Sequence, residues 1–226
     1  MPQAIESTDF KLFHSRLSMP LVKLPLTSSL IKLSNEKTLL LSPHPSLTAE
    51  NFQSMGNVTD IIAPSLFHHL GIKNAVAALP LAKLWGAIGL EQKQKDITWN
   101  NFLAEKQWPY NHELVAIHIA GMPKMNEFAF FHKASKTLFV TDLCFNILDD
   151  SGLGGWLIYN IFGTYKRLAV SKLFIRAVSD KKAFQQSLVH LFSYDFDDIV
   201  VCHGSVIKGD GRAKLLAALK ERGFGI

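Results

Sequence analysis

The sequence predicts an α/β (α+β) domain, and three observations carry that expectation. Short runs rich in β-branched and aromatic residues alternate with segments of helical period along most of the chain. Of 226 residues, 48% are hydrophobic and 19% charged, which suits a sizeable core rather than a disordered chain. Three of the strand patterns also stop on polar residues able to hold a metal, at the end of a strand where open α/β proteins gather their chemistry. These are residues 58–63 leading to His68-His69, residues 136–141 leading to Asp142, and residues 198–202 leading to His203-Gly204.

Taken in order, residues 1–26 read as a lead-in without firm period and residues 27–226 as one domain. Strands are expected over 28–33 and 37–41, split by the turn-forming Ser34-Asn35-Glu36. Ser46 or Thr48 ahead of Glu50 reads as a helix cap, with Gly56-Asn57 as the stop. Residues 58–63 form a buried strand, and a helix begins near Leu66. The Ala-rich run 75–90 is broken by Pro80, which predicts two short helices. Residues 91–112, with Trp99, Trp108 and Tyr110, read as a loop with a short helix. A strand over 113–119 follows, then a hairpin pairing 127–132 with 136–141. Residues 152–173 read as an aromatic, helical stretch, and the aromatic clusters at 99–110 and 152–162 are candidates for a wall or lid over the site, with Gly152, Gly154 and Gly155 as its hinge. Asp180 caps a helix to residue 192, residues 198–202 are a strand, and 210–222 a closing helix before Gly223.

Charge and cysteine content exclude several classes. The net charge is +5, but Lys and Arg are scattered, with only pairs such as Lys166-Arg167, so no nucleic-acid partner is expected. Two cysteines, Cys144 and Cys202, do not make a disulfide framework. The polar, acidic start lacks a signal pattern, and the apolar run 152–162 falls short of the roughly 20 residues that span a bilayer. A cytoplasmic protein with no membrane span is expected.

The order of elements and the three strand ends resemble the metallo-β-lactamase-like superfamily, over roughly residues 27–222. Its main signature, Thr-His-x-His-x-Asp-His-x-Gly after a strand, corresponds to Ala63-Pro64-Ser65-Leu66-Phe67-His68-His69-Leu70-Gly71. Here Pro64 and Leu66 replace the first two histidines, His68 replaces the aspartate, and His69 and Gly71 are kept. The later His-x-x-Gly-His segment is His118-Ile119-Ala120-Gly121-Met122, the carboxylate after the next strand is Asp142, and the last histidine is His203. An early Asp-x-Gly is replaced by Ser42-Pro43-His44. The resemblance implies a four-layer αββα sandwich and a metal site at one edge. It implies that one of two metals has lost its three histidines, at Pro64, Leu66 and Met122. The other would keep His68, His69, Asp142 and His203, a set suited to zinc first, and also to iron or manganese.

The residues themselves set limits on that site. His68 and His69 are adjacent, so their side chains diverge in any regular strand or helix and meet one ion only at an irregular turn. His44 and His118 are candidates for touching substrate or orienting a ligand. Cys144 is expected to be a small buried apolar residue, and Cys202 to point opposite His203 into the core. The function implied is a metal-dependent hydrolase, in which Asp142 also orients the attacking water. Its substrate would be a small ester, lactone, thioester or phosphodiester. A non-catalytic scaffold for binding or assembly and a mononuclear non-haem iron redox protein stand as alternatives, and a homo-oligomer is compatible with each.

Overall fold

The computed structural model describes residues 8–149 and 152–226. The chain opens with a long hairpin, β1 (Phe10–Met19) and β2 (Val22–Lys32), paired antiparallel from Phe10↔Ile31 to Met19↔Val22. It continues through β3 (Thr38–Leu41), α1 (Ala49–Ser54), β4 (Asp60–Ala63), α2 (Ile72–Ala78), β5 (Lys83–Gly86), α3 (Leu90–Lys93) and β6 (Asn101–Phe102). These strands form one six-stranded sheet in chain order, with β3 to β6 mutually parallel. Next come β7 (Leu114–Ile119), β8 (Glu127–His132), β9 (Thr137–Val140), β10 (Phe145–Asn146), α4 (Gly152–Phe162), β11 (Leu168–Ala169), α5 (Lys172–Arg176), α6 (Lys181–Leu191), β12 (Asp198–Val201) and α7 (Gly211–Lys220). The second sheet runs β12-β9-β8-β7, and β10 pairs with β11 apart from both.

Side-chain alternation makes four layers of these pieces. Leu39 and Leu41 of β3 point between the sheets, where Ile62 and Trp85 meet Phe128, Phe130, Phe139 and Val200 of the second sheet. Leu40 points the other way, joining Leu30, Ile61 and Leu84 against Phe52, Ile72 and Leu90 of the first helical layer. On the far side, Ile117, Leu138, Ile199 and Val201 pack against Phe174, Phe184, Leu188 and Leu215 of α5, α6 and α7. Strands buried on both faces read as continuous apolar runs, as β4 and β12 do. Each fully buried side chain of this kind contributes about 1.5–3 kcal/mol. The result is the αββα sandwich.

Four expectations need correction. Residues 10–26 are not a lead-in but the edge hairpin of the first sheet, and residues 1–7 lie outside the described residues. The second helix expected before residue 90 is instead strand β5, because Leu84 and Trp85 face opposite cores with period 2, masked by the surrounding alanines. Residues 91–112 also supply edge strand β6 and a 3-10 turn at Glu105–Gln107. The stretch 152–173 is helical to Phe162 and again only from Lys172, and Gly152, Gly154 and Gly155 lie within α4 itself. A Cβ at Gly154, inside α4, would overlap the Leu21 carbonyl, so glycine lets the helix lie on the hairpin turn.

Candidate metal centre

Strand register brings the three ends together. β9 and β12 pair in parallel up to Val140↔Val201, and Asp142 and His203 each stand two residues beyond that pair. From the other sheet, residues 64–66 cross over after β4: Phe128 N donates to the Pro64 carbonyl and Leu66 N to the Met125 carbonyl, both at 2.8 Å. That crossing delivers His68 to the same edge. Gly204, at φ +122°, turns the chain after His203, and a Cβ there would overlap the Asn146 carbonyl.

His68 Nε2 lies 3.4 Å from Asp142 Oδ2, and His203 Nε2 lies 3.3 Å from Asp142 Oδ1. Among the described residues these three form the one cluster of His, Cys, Asp or Glu whose ligand atoms all lie within 4.8 Å of one another. A tetrahedral zinc with bonds of about 2.0–2.2 Å holds its ligand atoms about 3.3–3.6 Å apart. The two imidazoles and one carboxylate therefore fit a divalent cation in donor type, and both histidine–carboxylate separations lie in that range. His203 Nδ1 meets the Pro25 carbonyl at 2.9 Å. A carbonyl only accepts, so Nδ1 donates to it, and Nε2 is left to face Asp142. Facing a carboxylate, that nitrogen needs a cation or a second proton between them. Asp142 Oδ2 is buried, and His68 Nε2 faces it.

The surroundings tune these groups. Burial opposes ionisation of Asp142, but attraction to His68 and hydrogen bonding to His203 and His68 outweigh it and hold its pKa well below the carboxylate range. Burial likewise disfavours the His68 imidazolium, yet Asp142 and the Cys202 thiol raise its pKa well above the usual value. Phe145 stacks on His203, ring centroids 4.9 Å apart. His68 Nδ1 lies 2.8 Å from Ser42 Oγ, which fixes the ring. Ser42 stands at φ +52° just past β3, a left-handed conformation that the surrounding strands hold in place. Beneath Asp142, Glu127 Oε1 accepts the N–H groups of Thr141, Asp142 and Leu143 at 2.9, 3.0 and 3.2 Å. Burial first, and then the Asp142 charge, push the Glu127 carboxyl up to about 7.

The structure gathers His68, Asp142 and His203 but not His69. His69 Nδ1 is 3.0 Å from Gln94 Nε2, turned away as adjacency in sequence requires. His118 bonds Asn126 Oδ1 at 2.8 Å and stacks on Phe128, away from the cluster. His44 is buried and lines the same cavity as the three ligands. Leu66 and Met122 are buried in cores on opposite sides of the sandwich, so neither offers a nitrogen or oxygen donor. Cys144 is buried as expected. Cys202 does not point away into the core: β12 ends at Val201, alternation lapses, and the thiol reaches His68. Ser42, Glu127 and the Pro25 carbonyl carry no signal in the sequence, since each acts through contacts between distant strands. The two expected aromatic walls separate: α4 borders the cavity through Ile158, Tyr159 and Phe162, whereas Trp108 is buried between the sheets.

No protein-family model matches the chain, and no curated protein matches it in sequence. Solved structures do. A metallo-β-lactamase from Pontibacter korlensis superposes with a TM-score of 0.68 at 13% identity, covering 97% of this chain and 99% of that one. A metallo-β-lactamase from Hirschia baltica gives 0.63 at 12% identity, covering 95% of each. The Flv1 flavodiiron core from Synechocystis sp. PCC6803 gives 0.62 at 17% identity, over 97% of this chain and 59% of that one. The protein has the metallo-β-lactamase-like fold.

Proposed function

We propose that the protein is a mononuclear metal-dependent hydrolase whose ion is held by His68, Asp142 and His203, with zinc the first candidate. The observation that carries this reading is the convergence of two imidazoles and one carboxylate, ligand atoms within 4.8 Å, at the floor of a cavity. A divalent ion there would act as a Lewis acid on a substrate oxygen and lower the pKa of a bound water. Three protein ligands leave room for substrate, as catalytic zinc sites with two histidines and one carboxylate do. The chain's own groups would do the rest. Pro25 and Ser42 keep both imidazoles aimed at one point. Asp142 would offer one oxygen as ligand and orient the attacking water with the other, which makes Asp142 the catalytic residue of this reading. Glu127, through the backbone, keeps the Asp142 loop in place. Two unpaired buried thiols and the expected cytoplasmic setting agree, and no helix among the described residues is long and apolar enough to cross a membrane.

The donor set also favours a second reading. Two histidines and one carboxylate with open positions suit non-haem iron, and flavodiiron cores are among the similar structures. Elemental analysis of protein purified from medium supplemented with both metals separates the two. Stoichiometric zinc with chelator-sensitive ester hydrolysis supports the hydrolase, and iron with oxygen uptake supports the alternative. His203→Ala and Asp142→Asn should abolish binding, and His69→Ala should leave it intact. Protein that takes up neither metal overturns both readings.

A further inference from the structure

The ligand cluster lies at one end of a cavity of about 390 Å³, within the range of roughly 300–1,000 Å³ that small-molecule sites occupy. Its walls are hydrocarbon: Leu24 and Leu26 from β2, Phe145 after the Asp142 loop, Ile158 and Phe162 from α4, and Leu173 from α5. Among the described residues, no Lys or Arg lines it, and Asp142 is its one carboxylate. Lys93, beside the exposed Phe67, bonds the Leu66 carbonyl and lies over the Phe67 ring. Met19, Phe67, Leu70 and Leu173 line the cavity and are themselves exposed, so they mark its mouth. Its imidazole and carboxylate groups come from His44, His68, Asp142 and His203.

A phosphodiester or a free carboxylate would bring its charge beside Asp142 and against hydrocarbon walls that carry no Lys or Arg among the described residues, at a cost that burial magnifies. A neutral molecule with a hydrocarbon chain and one carbonyl matches both ends. We infer that the cavity binds the acyl chain of a neutral ester, thioester or lactone, with the carbonyl placed among His44, His68, Asp142 and His203. This deepens the hydrolase reading and rests on it for the cleavage step, which adds water across the acyl carbon–oxygen or carbon–sulfur bond and yields a carboxylic acid and an alcohol or thiol. The binding itself needs no metal.

The test therefore reads binding and metal uptake separately. Displacement of Nile red by uncleavable methyl ketones from 2-hexanone to 2-dodecanone should tighten about fourfold per added methylene while chain is still being buried. Dodecyl phosphate should bind at least tenfold more weakly than 2-dodecanone. Ile158→Trp, which fills the cavity, and Leu173→Glu, a charge at the exposed mouth that spares the fold, should each weaken 2-dodecanone at least tenfold without changing zinc affinity. Affinity independent of chain length, or equal affinity for the phosphate, overturns the inference whatever the metal does. Chain-length dependence retained in a protein that takes up no metal supports the binding site and overturns the hydrolase reading alone.

Discussion

His68 and His203 reach one carboxylate under different restraints, a serine hydroxyl for the first and a main-chain carbonyl for the second. Ser42→Ala removes only the former. It should weaken zinc binding about tenfold or more, measured by competition with a chromophoric chelator, with little change in urea midpoint. His44 gives a separate prediction. Burial lowers its pKa to about 4, against a partial opposing effect of the Phe13 backbone. A folded pKa below the unfolded value means that the neutral ring's contribution is complete above about pH 6.5 and is lost as pH falls towards 4. His44→Leu should flatten the fall in urea midpoint across that window; His14, His69 and His132, also lowered by burial, contribute to the slope that remains. At this scale the sequence disclosed the residues that end strands, His68, Asp142 and His203. It could not disclose Ser42 or Glu127, whose roles depend on which strands become neighbours.

Elements hold the site through backbone contacts. Glu127, at the start of β8, gathers three N–H groups of the loop after β9 on one oxygen. Glu127→Ala leaves them buried without an acceptor and should cost about 3 kcal/mol or more, whereas Glu127→Gln keeps a carbonyl oxygen in reach and should cost less. Chemical denaturation of the two variants makes the comparison. Gly204→Ala combines an unfavourable φ with overlap on the Asn146 carbonyl, so a loss of about 2 kcal/mol or more is expected in the same assay. Elements with clear punctuation were legible: Asp180 caps α6 through Ala183 N, and the β8–β9 hairpin falls where expected. β1 and β5 were not, because their short alternations acquire meaning only when two cores lie on opposite faces.

For the molecule as a whole, the proposed ligand set, drawn from both sheets, would tie metal binding to folding. An ion that binds only the folded state adds about 2.7 kcal/mol at a concentration one hundred times its Kd. Excess zinc should therefore raise Tm by several degrees over chelator-treated protein, and Asp142→Asn should remove the increment. The four layers were readable from the succession of strand and helix patterns. The edge at which the sheets share a site followed from where three strands end, and the cavity's character from neither, since β2 and α4 meet there from 136 residues apart.

The Pro25 carbonyl has an evolutionary corollary. A main-chain oxygen survives every substitution of its own side chain, so point mutation at position 25 leaves the proton on His203 where it is. An insertion or deletion in the bend between the first two strands would slide Pro25 along its neighbour and turn that oxygen away. Drift should thus be tolerated there in residue identity and punished in length.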